Sequence, residues 1–336
     1  MKSVKVVLVL ALCLFVSFSL LSCRENRGGA GQGGRVAVTF AGTEGATAGQ
    51  SRMMVEVAEI LNASDRFDAR VFVAGALPGD TDNLVTQARL GVNLVVPSDP
   101  GRLASQFNIP DLNILMAPYV LTDYRVLERL PQTELYRQWQ AQLEEHGIVL
   151  VANMFNGFRD FYTNNPVNSV SDLAGLRIRG FGNDIGLALA RYFNFAQITM
   201  GASDIYAAIQ SRAIDGTEIQ ASFANANRLY EVTSYLALTR HYMLQSSFVV
   251  GRALLDSMSQ EDREFFLTTM NEASTRWSAI IAAEEQGIFD TFRERGMTIT
   301  TINMDEFHAA IGPLYVNNDL RLSPGLRDTL FSQLGL

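Results

Sequence analysis

Lysine is almost missing from this chain. Its two lysines, Lys2 and Lys5, stand among the first five residues, and every other basic residue is an arginine. Beyond the first few residues this excludes a P-loop lysine, a Schiff-base lysine and a lysine general base. Cysteine is nearly as scarce. Cys13 and Cys23 are the only two, so from residue 24 onward there is no thiol nucleophile, disulfide or cysteine metal ligand. The three histidines, His146, His241 and His308, are far apart, never at metal-ligand spacing, and no HExxH occurs. Each reads as a surface or capping residue. No G-x-S-x-G elbow is present. Asp80-Thr81-Asp82-Asn83 opens like a calcium loop, but Val85 and Gly91 stand where glycine and glutamate are needed. No metal and no cofactor is expected. The net charge of −8 argues against nucleic-acid binding.

What is present begins with an export leader. Lys2 and Lys5 precede an apolar run over residues 6–18, and Leu20-Leu21-Ser22-Cys23 fits a lipobox. The run is short for a membrane span. Residues 1–22 are therefore expected to be removed and Cys23 to be diacylated, anchoring the protein to the cell envelope. Residues 23–34, Gly-rich and polar, read as a flexible tether. Loss of both lysines leaves a charge of −10. The rest of the chain, 48% hydrophobic overall, is long enough to bury a large core in two lobes.

From residue 35 the patterns alternate between strand and helix, which predicts a parallel α/β unit. Strands are expected at 35–40, 69–73 and 92–96, with helices at 50–61 and, capped by Asp80, at 81–90. Loops 41–48, 77–80 and 97–101 would then lie at strand C-ends and face one cleft. Residues 114–121 read as core and crossover. Helices are expected at 124–130 and 133–145, and a strand at 148–154 followed by Asn156-Gly157-Phe158-Arg159.

Leu176 and Ile178 alternate with Arg177 and Arg179, the period of a half-buried strand. Gly180 and Gly182 turn the chain, and Asn183 or Asp184 can cap a helix through Arg191. A guanidinium at a strand-to-helix turn presents a planar fork of donors suited to a carboxylate. Gly180 to Gly186 misses the dinucleotide pattern G-x-G-x-x-G by one residue. The strand expected at 195–200 also lacks the terminal acid of that motif. Ser203 or Asp204 is read as capping a helix at 205–212, with Tyr206 either lining the cleft or lying on the surface. Strands are expected at 214–219, 242–251 and 297–302. A helix at 221–230 follows the first of these, a long helix capped by Ser259 is expected to run to Arg295, and terminal helices are expected at 305–314 and 324–334.

DLAGLRIRG (residues 172–180) and SDIYAAIQSRAIDGTE (residues 203–218) resemble, in order and spacing, the signature of the TRAP-transporter solute-binding proteins, the DctP-like family. The likeness runs over roughly residues 36–311. It implies a two-lobed, periplasmic-binding-protein-like α/β fold with a central cleft and a long helix crossing both lobes. The first lobe would be residues 35–155 with about 246–284. The second would be 156–245 with about 285–315, and 316–336 would be a C-terminal helix packed on the lobes. The function implied is capture of a small organic acid and its delivery to TRAP membrane permease subunits, with an accessory periplasmic protein as a further partner.

In that family a dominant arginine grips the carboxylate, and Arg179 matches it; Arg159 matches a second cation near the solute. The likeness places first-lobe contacts in the three loops, hence the candidates Phe40, Thr43, Asp80 and Ser98. Tyr206, Glu218 and Ile219 complete the set. Ile219 stands where sialic-acid-type members have asparagine, Phe40 replaces a polar residue, and Ala202 replaces a bulky aromatic. An apolar wall leaves buried hydroxyls uncompensated. The expected solute is therefore a carboxylate with an apolar body. A hydrophobic ligand that ignores Arg179, and a structural or adhesive surface lipoprotein, are the competing readings.

Overall fold

The computed structural model describes residues 34–336. The expected leader, the lipid acceptor Cys23 and nearly all of the 23–34 tether lie outside the described residues. The chain begins with β1 (Val36–Ala41), which runs parallel to β2 (Phe67–Phe72) on one side and β3 (Leu94–Ser98) on the other. The connections are α1 (Gly49–Ala63) and α2 (Thr81–Arg89). In α1, Met53, Met54, Val57 and Leu61 recur at three-and-four spacing and bury one face. Asp80 caps α2 by accepting from the Asn83 backbone N–H, an arrangement that stabilises a helix by about 1 kcal/mol. The following α3 (Pro100–Phe107) is capped by Asp99 in the same way. The segment from Pro110 to Leu121 is nearly all buried, as its apolar run predicts.

After α4 (Glu134–Glu145) comes β4 (Ile148–Thr163), sixteen residues, all buried. The expected strand ended at Met154; the observed one runs on through Asn156-Gly157-Phe158-Arg159. Register shifts between Leu150 and Ala152, and between Phe155 and Gly157, break the two-residue alternation that marks a strand in sequence. Gly157 has φ +112°, and a Cβ there would sit 2.9 Å from the Gln220 Cβ, so this position needs glycine.

The second half contains β5 (Arg177–Arg179), α5 (Asp184–Tyr192), β6 (Ala196–Ile198), α6 (Ile205–Gln210), β7 (Gly216–Gln220), α7 (Ala221–Ala226), β8 (Tyr235–Ala237) and β9 (Met243–Gly251). A 35-residue helix, α8 (Gln260–Glu294), is capped by Ser259 as expected and spans about 50 Å. Then follow β10 (Thr298–Thr300), α9 (Met304–Val316) and α10 (Leu326–Leu334). Two local expectations differ. A 3-10 turn over Ala202–Asp204 precedes α6, and neither Ser203 nor Asp204 caps it, because the two side chains meet each other instead. The short strand β8 was not anticipated.

The sheet order is β2-β1-β3-β9-β4-β7-β5-β6, with β8 on β4 and β10 on β8. β4 is the shared strand: it pairs with β9 over Ile148–Phe158 and with β7 over Arg159–Thr163. One hydrophobic cluster fills the first half and reaches Ile178, Leu189 and Phe193. A second collects Tyr162, Ile205, Ile219, Phe223 and Phe292. The helix α8 packs on β4, α1 and α7, so it touches both halves. Among the described residues no helix is long and apolar enough to cross a membrane.

Candidate functional site

Two buried arginines stand where β4, β5 and β7 come together, and their surroundings are opposite. Arg159 is 1% exposed and is saturated. Its Nε and Nη2 donate to the two carboxylate oxygens of Glu218 at 2.6 and 2.7 Å, Nη2 also to the Glu218 carbonyl, and Nη1 to Gln220 Oε1 at 3.2 Å. Burial, the largest single influence, would raise the Glu218 carboxyl, but the Arg159 charge and the hydrogen bonds from His241 and Arg159 together outweigh it and hold the pKa at about 2. His241 completes this pair. It is fully buried rather than on the surface, with Nε2 3.4 Å from Glu218 Oε2 and Nδ1 2.8 Å from Thr239 Oγ1. A carboxylate only accepts, so Nε2 carries the hydrogen and Nδ1 accepts from Thr239. Burial lowers the His241 pKa, which keeps the ring neutral.

Arg179 is 4% exposed and has no ion pair among the described residues. Its one hydrogen-bond partner among the described residues is the Met200 carbonyl, reached from Nε at 3.4 Å and Nη2 at 3.2 Å. Burial, then the like charge of Arg159, push its pKa down to about 10, so it stays charged at neutral pH. The register explains the contrast. Arg159 pairs with Gln220 and Phe161 with Glu218, whereas Arg179 pairs with Thr217. Glu218 and Gln220 therefore share the face of Arg159, and Thr217 and Ile219 share that of Arg179. The acid on the Arg179 face, Asp160 opposite Ile219, accepts from the Arg240 N–H and forms no ion pair with Arg179.

Phe181 lies among the cations. Its ring centroid is 4.4 Å from the Arg159 guanidinium carbon, 5.3 Å from that of Arg179 and 5.1 Å from that of Arg102 on α3. The ring's negative face attracts all three. Its backbone is held in place: Gln197 donates to the Phe181 carbonyl, and a Cβ on Gly186 would come 2.0 Å from that oxygen.

The first half supplies the facing wall. Gln220 Nε2 donates to Glu44 Oε1 at 3.3 Å, while Glu44 Oε2 is buried without a partner. Burial pushes the Glu44 carboxyl up to about 7, against the lowering pull of Gln220 and Arg159. Asp99 pairs with Arg102 at 3.0 Å, and Gly101 lies close enough to α5 that a Cβ would sit 2.7 Å from Asn183 Nδ2. The two halves are thus in contact around the arginines, a closed arrangement. Orphaned buried polar atoms gather here: Glu44 Oε2, Ser98 Oγ, Asn156 Oδ1 and Asn183 Nδ2.

Of the sequence candidates, Arg159, Arg179, Glu218 and Ile219 come together. Ser98 ends β3 with its hydroxyl buried. Phe40 is fully buried in the first-half core, and Thr43 is half-buried in the loop after β1. Asp80 is exposed and occupied with capping, which lowers its pKa chiefly through the Asn83 N–H. Tyr206 donates to Glu231 at 3.0 Å on the surface side of α6. Sequence reasoning missed Glu44, Arg102, Phe181 and His241. Glu44 sits in a loop of small residues that carries no pattern, and the tether-like composition around it hides its burial. Chemically the arrangement offers donors for one anion and an aromatic face. The one buried histidine has both ring nitrogens engaged.

The model of the bacterial extracellular solute-binding protein family 7 matches residues 49–318. The chain is 24% identical over 242 residues to the sialic acid-binding periplasmic protein SiaP of Vibrio cholerae, covering 72% of this chain and 75% of the relative. It is also 24% identical over 243 residues to the C4-dicarboxylate-binding periplasmic protein DctP of Rhodobacter capsulatus, covering 72% and 70%. Among solved structures, a TRAP periplasmic solute-binding protein from Roseobacter denitrificans with bound 3-deoxy-D-manno-oct-2-ulosonic acid superposes with a TM-score of 0.83 at 21% identity, over 89% of this chain and 99% of that one.

Proposed function

Because the chain belongs to the bacterial extracellular solute-binding protein family 7, we propose that it captures a small organic acid by its carboxylate on Arg179 and delivers it to a TRAP-type membrane permease. One observation carries the assignment of Arg179: a charged guanidinium, 4% exposed, with no carboxylate partner among the described residues. Desolvating an ion without a counter-ion is costly, and a bound carboxylate supplies the missing charge bidentately. Relatives and a structural neighbour that carry sialic acid, C4-dicarboxylates or an ulosonic acid are consistent with an acid as solute. Binding, rather than catalysis, is the family's work.

In this reading Arg159 is the frame and Arg179 the hook. Glu218 fixes Arg159, and Arg159 in turn holds Phe181 by its ring. The solute's carboxylate meets Arg179, and its body lies toward Ile219, Met200 and Ala202, which pack on the second cluster. That wall has few donors, which favours an apolar body over a polyol chain. The lobes take the bounds expected from the sequence, with β4 and α8 as the elements that flex. Closure brings Glu44, Gly101 and Arg102 over the solute by a hinge movement. Cys23 is taken as the lipid-bearing residue that tethers the receptor to the envelope. Calorimetric titration of a panel of acids, and of their amides, tests the hook. Acids should bind, amides should not, and Arg179→Ala should weaken acid binding by about 100-fold or more. Equal affinity for acid and amide would favour a hydrophobic ligand held without Arg179.

A further inference from the structure

We propose that Glu44 faces the bound solute and takes up a proton when an organic anion binds at Arg179, so that capture is coupled to the external proton concentration. The inference rests on the reading of Arg179 as the carboxylate hook. Three observations support it. The Glu44 carboxyl reaches across the cleft to Gln220, and its second oxygen is buried with no donor. Asn156, on the shared strand beside Glu44, also has its Oδ1 buried without a partner. One hydrogen on Glu44 supplies the donor that this cluster of acceptors lacks, and a solute carboxylate adds two further acceptors beside it.

The third observation is the balance of charge. Arg159 is neutralised by Glu218 and Arg102 by Asp99. That leaves Arg179 and Glu44, with the buried Asp160 on β4 pushed up to about 8 by burial and so uncharged at neutral pH. With Glu44 ionised the closed cleft is already neutral, and a solute anion would bring a net negative charge into a dry space. With Glu44 protonated the cleft holds one positive charge, which one carboxylate balances. The groups facing Glu44 are Arg159 on β4 and Arg179 on β5, both of which favour its ionised form, with Glu218 on β7 bound to Arg159. Burial opposes them and wins, leaving its pKa at about 7 even before an anion arrives. Two other groups border the cleft. His241 is held neutral by burial, and the pKa of Asp99, the cap of α3, is raised by burial.

The sign follows from linkage. The complex binds more protons than the free protein, so affinity falls as pH rises, by about tenfold per pH unit at full one-proton linkage above pH 7. The probes are 4-methyl-2-oxopentanoate, phenylacetate and hexanoate. Calorimetry at pH 8 in buffers of different ionisation enthalpy counts the protons taken up by the wild-type protein, and needs no variant. The expected result is close to one proton per acid bound, with Kd rising from pH 6 to pH 9. In Glu44→Gln the uptake should vanish and Kd should stay flat near the low-pH wild-type value. Binding without proton uptake overturns the inference and leaves the Arg179 reading intact. Uptake that persists in Glu44→Gln also overturns it, and points to Asp99 or Asp160. If no acid binds at any pH, the Arg179 reading fails and the inference fails with it.

Discussion

Arg159 on β4 and Arg179 on β5 flank β7 in one sheet, are both almost hidden from solvent, and differ in nearly everything else. Arg159 has a carboxylate, a carbonyl and an amide around it, and its charge is more secure than that of a free arginine. Arg179 has one carbonyl, and its charge is less secure. Burial of a cation is therefore not by itself a sign of function here; burial without a counter-ion is. The first arginine stabilises the fold, and the second is held at a cost to the fold that a ligand offsets.

The contrast is sharpest in stability. Glu218→Ala leaves Arg159 buried and unpaired, and should cost about 3–5 kcal/mol in denaturant unfolding. The Glu218 pKa is depressed in the folded state. Its stabilisation is thus fully present above the unfolded carboxylate pKa and lost as pH falls toward about 2. Arg179→Met, by contrast, removes an unpaired charge and should raise stability by on the order of 2 kcal/mol while abolishing acid binding. Loss of stability in that variant would erase the distinction between the two arginines.

Gly186→Ala probes the support of the site. Its Cβ would collide with the Phe181 carbonyl, so the variant should lose about 1–3 kcal/mol and bind acids more weakly. A folded, fully binding variant would mean that the position of Phe181 is unimportant. The two halves can also be told apart by pH. Glu44 has a folded pKa of about 7, above that of an unfolded glutamate, so the folded state binds the extra proton. Wild-type stability should therefore fall as pH rises from about 4.5 to 7 relative to Glu44→Gln, the reverse of the Glu218 effect. A parallel pair of melting curves across that range would contradict the assignment. The smallest effect is expected from Phe181→Leu. Loss of the shared cation–π contacts should weaken acid binding about two- to fivefold, with little change in melting temperature.

Much of the second half was legible in the sequence. Ile178 buries and Arg177 stays exposed with Asp215, as the alternation implies, and Asn183 caps α5. Asp80 and Ser259 likewise cap the helices assigned to them. Local patterns of this kind depend on residues close in sequence. The shared strand was not legible past Met154, because its bulges erase the alternation and its burial on both faces removes polar contrast. The partners of Arg159 lie about sixty residues away, and nothing local distinguishes an arginine that will meet Glu218 from one that will meet nothing. His241 looked like a surface residue because a lone histidine carries no period. Only the fold brings Thr239 and Glu218 to its two nitrogens. Glu44 shows the same limit, since its carboxyl meets Gln220, some 176 residues away in the chain.

The most direct measurement is native mass spectrometry of the purified 35–336 fragment and its Arg179→Ala variant, followed by identification of any small molecule that co-purifies. A small monocarboxylic acid carried by the wild-type protein and missing from the variant is the predicted result. The same compound retained by the variant, or a neutral compound in the wild type, would contradict the claim that Arg179 holds the solute by its carboxylate.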